Sequence, residues 1–108
     1  MSRLRLLARE EAPLLARAWY REDGSASALT SSLANAPDLL ETLMPFLAQV
    51  FDEGAVDLAT KELVVMRVSQ LNRCRYCLAA HRSLALEAGL PGTYVEAVCD
   101  EAPIAVLP

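Results

Sequence analysis

Between residues 58 and 71 the chain reads LATKELVVMRVSQL, with apolar side chains at Leu58, Leu63, Val64, Val65, Met66, Val68 and Leu71. They wrap most of a helix's circumference, the pattern of a central, buried helix. Asp57 stands where that helix needs an N-cap. Asn72 can end it and cap the next, RCRYCLAAHRSLALEA, which Gly89 closes. Upstream, Pro37 suits the first position of PDLLETLMPFLAQVFDEG, a helix that Pro45 should kink and Gly54 closes. Residues 3 to 21 predict a first helix divided at Pro13. The stretch REDGSAS reads as a turn, with Ser25 or Ser27 as N-cap of a short helix to about Asn35. PGTYVEAVCDEA predicts a last short helix, followed by the apolar tail PIAVLP. No segment of strict alternation stands out, so the fold class is all-α, without internal repeats.

Composition adds partners and compartment to this picture. The chain has 108 residues, the size of one domain, yet 54% are apolar. A domain this small cannot easily hide so much apolar surface, which predicts a homo-oligomer. The net charge is −4 and no run of Lys or Arg is present, so no nucleic-acid partner is expected. The apolar part of SRLRLLAREE is too short for a signal peptide or a membrane span. A cytoplasmic protein with no membrane partner is the expectation. In that compartment three cysteines read as catalytic, redox-active or metal-binding rather than as structural disulfides.

Candidate chemistry concentrates in LNRCRYCLAAH, which holds Cys74, Cys77 and His81, the only histidine. Their spacing of i, i+3 and i+7 puts all three on one stripe of a helix. With Asn72 as N-cap, both cysteines fall in or near the first turn, where the helix dipole favours a thiolate. Arg73 and Arg75 add positive charge nearby, and His81, one turn past Cys77, can take its proton. Cβ atoms at i and i+3 of a helix lie roughly 5–6 Å apart. A relaxed disulfide needs about 3.8 Å, so a bridge here should be strained and easily reduced. Zinc is the rival, with Cys99 as a fourth ligand. Helix rise opposes it, because seven residues span roughly 10.5 Å along the axis. Haem attachment needs His directly after the second Cys, and Leu78 stands there instead. The bland alternative is two small core thiols and a hydrogen-bonded core histidine.

Glu62 lies twelve residues before Cys74, early in the apolar helix. Antiparallel return through LNR would set it about as deep as His81, where it can orient the imidazole and raise its basicity. The alternative is an exposed first-turn glutamate favoured by the dipole, like Lys61 beside it. Trp19, Tyr94 and Cys99 carry only structural readings, Cys99 as a buried apolar residue.

The stretch KELVVMRVSQLNRCRYCLAAHRSLALEAGL resembles the motif region of the alkylhydroperoxidase AhpD-like proteins of the carboxymuconolactone decarboxylase superfamily. The matched pattern is Glu, eleven residues, Cys-x-x-Cys, three residues, His. LANAPDLLETLMPFLAQVFDEGAVDLATKE resembles the preceding helices, so the likeness covers roughly residues 30 to 90. It implies an AhpD-like helical domain over residues 1–108, with a central antiparallel helix pair carrying the motif. It implies a thiol peroxidase that assembles as trimers or hexamers and needs no metal or organic cofactor beyond a redox-active Cys74–Cys77 disulfide. By position, Cys77 is the peroxidatic nucleophile, Cys74 the resolving cysteine, and Glu62 and His81 the proton relay. The implied partners are an organic hydroperoxide or hydrogen peroxide and a dithiol reductant protein, lipoyl or thioredoxin-like. The alternatives are a redox-sensing or interaction module without turnover, and a decarboxylase activity. Two departures stand out. The best-studied members carry a histidine just before the second cysteine, where this chain has Tyr76, an auxiliary candidate. Members commonly continue with further helices, so the pocket here is expected to depend on a neighbouring subunit.

Overall fold

The computed structural model describes residues 3–100, so the tail PIAVLP lies outside the described residues. Among them the chain forms six α-helices and no strand, the all-α class that its patterning predicts. It divides into two compact units, Met1–Val50 and Phe51–Pro108.

The first unit contains α1 (Leu14–Arg17), α2 (Ala28–Leu33) and α3 (Pro37–Val50). The helix expected over residues 3 to 21 is reduced to the four residues of α1. Pro13, rather than dividing a helix, is the N-cap of this one, with an extended ψ of 152°. Before it, the Glu11 carboxylate accepts the Ala8 N–H at 3.0 Å, a local bond that competes with a helical ladder. Long-range bonds hold the segment away from helix. Leu7 N–H donates to the Ser31 carbonyl at 3.1 Å, Tyr20 Oη to the Leu7 carbonyl at 2.7 Å, and Asn35 Nδ2 to the Arg5 carbonyl at 2.8 Å. Of the two candidate caps, Ser27 caps α2, its hydroxyl accepting from Thr30 N–H at 3.2 Å. Ser25 instead closes the turn against Asp23, whose carboxyl is held below the usual range by that hydroxyl and by the Ser25 N–H. α3 starts at Pro37 as expected and continues through Pro45, but it ends at Val50, four residues before Gly54. The core of this unit is Ala12, Ala16, Tyr20, Ala34 and Leu40, with Leu7 and Trp19 packed against it.

The second unit contains α4 (Leu58–Leu71), α5 (Arg75–Glu87) and α6 (Gly92–Cys99). Asp57 caps α4 by accepting from Thr60 N–H at 2.8 Å, and that bond lowers its pKa. Met66, Ala85, Leu90, Val95 and Val98 form the core, with Leu63, Leu78, Tyr94 and Cys99 packed against it. α4 is not buried all round. Its inner face carries Glu62, Met66, Ser69 and Gln70, while Val64, Val68 and Leu71 are 49–65% exposed. The polar members of the inner face are all bonded. Ser69 Oγ donates to the Val65 carbonyl at 2.6 Å, and Gln70 Nε2 donates to the Val98 carbonyl at 2.8 Å, tying α4 to α6. Apolar count alone could not find this, because within one chain α4 has a covered side and a bare one.

Met66 is fully buried at the centre of this core. Met66→Ala is therefore expected to destabilise the protein by about 2–5 kcal/mol, which urea denaturation of both proteins would measure.

Candidate functional site

The connection between α4 and α5 sets the site. Asn72 is the C-cap of α4 rather than the N-cap of α5. Arg73 follows with φ 54°, the left-handed conformation that usually falls to glycine. Arg73 N–H bonds the Gln70 carbonyl at 3.0 Å and Cys74 N–H bonds the Ser69 carbonyl at 2.9 Å. This is the Schellman pattern, with arginine at the position of its usual glycine. Cys74 then serves at once as the last bonded residue of that motif and as the N-cap of α5.

The two cysteines therefore do not share helical backbone. Cys74 is extended (φ −88°, ψ 91°), and Cys77 lies in the first turn of α5. They are joined as a disulfide with Cα atoms 5.3 Å apart, well inside the ordinary range of about 4.4–6.8 Å. The expectation placed both cysteines in or near the first helical turn, whereas Cys74 lies just outside the helix as its N-cap. Its Sγ also accepts the Cys77 N–H at 3.2 Å, so the sulfur acts as the cap acceptor. A helix N-terminus supports negative charge, and here it faces Cys74 most directly.

Short reversal returns α5 along α4 and brings Glu62 against His81. The Glu62 carboxylate is 2.8 Å from His81 Nδ1. Glu62 is 3% exposed, so it is the buried orienting carboxylate and not a solvated first-turn one. With Glu62 ionised, Nδ1 carries the hydrogen and Nε2 holds the lone pair of the neutral ring. The imidazole, half-buried, lies in tilted contact with the Phe51 ring, centroids 5.6 Å apart. Phe51 escaped sequence reasoning, since no spacing links it to His81 thirty residues on. Tyr76, between the cysteines, is half-exposed on the first turn of α5.

The remaining thiol, Cys99, sits half-buried against the core of the second unit. Its burial pushes the thiol pKa up, partly offset by Arg82. Among the described residues no three His, Cys, Asp or Glu side chains form a cluster able to hold a metal ion. Among them, too, no helix is long and apolar enough to cross a membrane.

A raised pKa means less thiolate at neutral pH, so Cys99 should alkylate slowly at pH 7 and faster as pH rises. Titration with a thiol reagent should find one slow thiol in the oxidised chain. After reduction it should find all three cysteines.

Residues 37–105 match the family model described as the carboxymuconolactone decarboxylase family. No curated protein and no solved structure matches the chain.

Proposed function

The chain belongs to the carboxymuconolactone decarboxylase family, and we propose that it works there as a thiol-dependent hydroperoxide reductase of the alkylhydroperoxidase type. The observation that carries this reading is the buried Glu62 carboxylate on His81 Nδ1, one helical turn from a Cys74–Cys77 pair already at bonding distance. A carboxylate-oriented imidazole is what a proton relay needs, and a vicinal cysteine pair is what a two-electron cycle needs.

In the reduced enzyme Cys77 is the nucleophile and His81 takes its proton, directly or through water. The thiolate attacks the O–O bond of the peroxide. Cys77 becomes a sulfenic acid, and the alkoxide leaves as alcohol with a proton returned from His81. Cys74 then attacks the sulfenic sulfur, releasing water and forming the disulfide. Glu62 keeps Nδ1 protonated and offsets the imidazolium charge during the transfer. A dithiol reductant closes the cycle by exchange, itself oxidised to a disulfide. The apolar residues around the motif favour an organic hydroperoxide over a strongly polar one. Tyr76 replaces the relay histidine of the best-studied members with a phenol that can hydrogen-bond but is a poorer base at neutral pH. The reading places the protein in the cytoplasm, where a dithiol pool can turn the pair over.

Self-association belongs to the same proposal, as a trimer or hexamer. Val64 and Val68 form a bare apolar stripe on the outer side of α4, the kind of surface that a second copy covers. Light scattering should give a mass above that of one chain, and a stable monomer would remove this part.

The central test is dithiol-dependent consumption of cumene hydroperoxide. Cys77→Ser should abolish it, and full activity in that variant would overturn the reading. His81→Asn should lower kcat/KM by about 10²–10⁴, while a stoichiometric oxidant still closes the Cys74–Cys77 bridge. A redox sensor would instead oxidise once and show no sustained peroxide loss.

A further inference from the structure

At the C-terminal end of α4 lies an open cleft of about 250 Å³ lined by Arg67, Gln70, Leu71 and Arg73. Two of its four lining residues are arginines, on a chain whose net charge is −4. Neither guanidinium is paired with a carboxylate among the described residues, whereas Arg5 and Arg82 are. Arg67 is half-buried, and it is held by donating to the side-chain oxygen of Gln70. Gln70 is itself buried and pinned through Nε2 to the Val98 carbonyl. One wall of the cleft is thus set by the packing of α4 on α6. The other wall is Arg73, which occupies the left-handed position of the turn and immediately precedes Cys74. Consecutive Cα atoms are about 3.8 Å apart, so one residue that lines the cleft is the chain neighbour of the disulfide. His81 and Glu62 lie further along the helix pair.

We propose that this cleft is an anion subsite through which a small, carboxylate-bearing thiol addresses the disulfide. The inference rests on the thiol-dependent reading above and specifies the chemistry of its reductant. The carboxylate binds between the guanidiniums, where bidentate geometry suits it. The thiolate of the same molecule attacks Cys74 Sγ. The Cys74–Cys77 bond breaks, its electron pair leaves on Cys77 as thiolate, and a mixed disulfide forms on Cys74. A second thiolate attacks the reductant sulfur of that mixed disulfide. Cys74 leaves as thiolate, accepting the Cys77 N–H that already reaches it at 3.2 Å, and the reductant departs as its disulfide. Two protons from solvent complete the reduced pair, so two thiols are oxidised for one protein disulfide reduced.

The test needs no peroxide, so its failure and the failure of the peroxidase reading are separate results. The oxidised full-length protein is reduced with 3-mercaptopropionate or with neutral 2-mercaptoethanol, at matched thiolate concentration. Rates are followed by alkylation of the released thiols. At low salt the anionic thiol should be preferred about tenfold, with about threefold from each guanidinium. About 0.5 M salt should erase most of the preference. Arg67→Gln and Arg73→Gly should each remove about threefold of it. Arg9→Gln, an equal change of charge at an exposed site in the first unit, should keep it. Arg73→Gly also relieves the left-handed backbone, so its melting temperature should not fall, and a lost preference cannot be assigned to unfolding. The subsite is overturned by equal rates for the two thiols, by unchanged preference in the Arg67 and Arg73 variants, or by the same loss in Arg9→Gln.

Discussion

Asn72, Arg73 and Cys74 reverse the chain between α4 and α5, and the rest of the second unit depends on that reversal. The turn leaves no slack. The same residue that completes the end of one helix caps the start of the next. Because the connection is so short, each residue of α5 has little choice of partner along α4. Glu62 meets His81 as a consequence. A longer loop would let α5 slide or rotate against α4. Either motion would strand a buried carboxylate, so the turn and the Glu62–His81 hydrogen bond enforce each other.

That buried pair shapes the helix that carries it. A carboxylate removed from water must be met by a hydrogen bond or a charge, since an unpaired one costs several kcal/mol. Glu62 is met by His81, Gln70 by the Val98 carbonyl and Ser69 by the Val65 carbonyl. The inner face of α4 thereby becomes a polar seam around Met66. The valines that composition assigns to a core are left on the other side. A helix built this way is suited to holding chemistry inside and neighbours outside.

Cysteine geometry follows from the same turn. Placing Cys74 one residue before the helix gives it the N-cap sulfur position and gives Cys77 the first-turn position. The two sulfurs are thus chemically unequal before any substrate arrives. One accepts a backbone N–H, while the other lies one turn from the imidazole. The proposed division between an attacking and a resolving sulfur relies on this inequality. The unusual arginine in the left-handed position also lies in this turn, so the charge beside the disulfide is part of the reversal itself.

Much of this was legible in the residues. Asp57, Ser27, Pro37 and Gly89 marked their helix ends because caps are local chemistry, decided within four residues. The Glu62, Cys74, Cys77 and His81 set was legible because helix periodicity and a short connection nearly dictate which side chains meet. The first helix was misread because Leu7, Tyr20, Ser31 and Asn35 bind across long sequence separations, outvoting a helical pattern. The place of Cys74 was misread because two helix ends compete for three residues, and only the closed hydrogen-bond pattern settles which residue caps which helix. Phe51 on His81, Gln70 on Val98 and the meeting of Arg67 and Arg73 in one cleft left no periodic signal. By itself the sequence determined the all-α class, most helix ends and the candidate site residues, because these follow from local bonding and from spacing along one helix. Only the tertiary structure decided which face of α4 is buried, which backbone holds Cys74 and which charges gather beside it. Those depend on groups that come together from different helices, and no single stretch of chain records such a meeting.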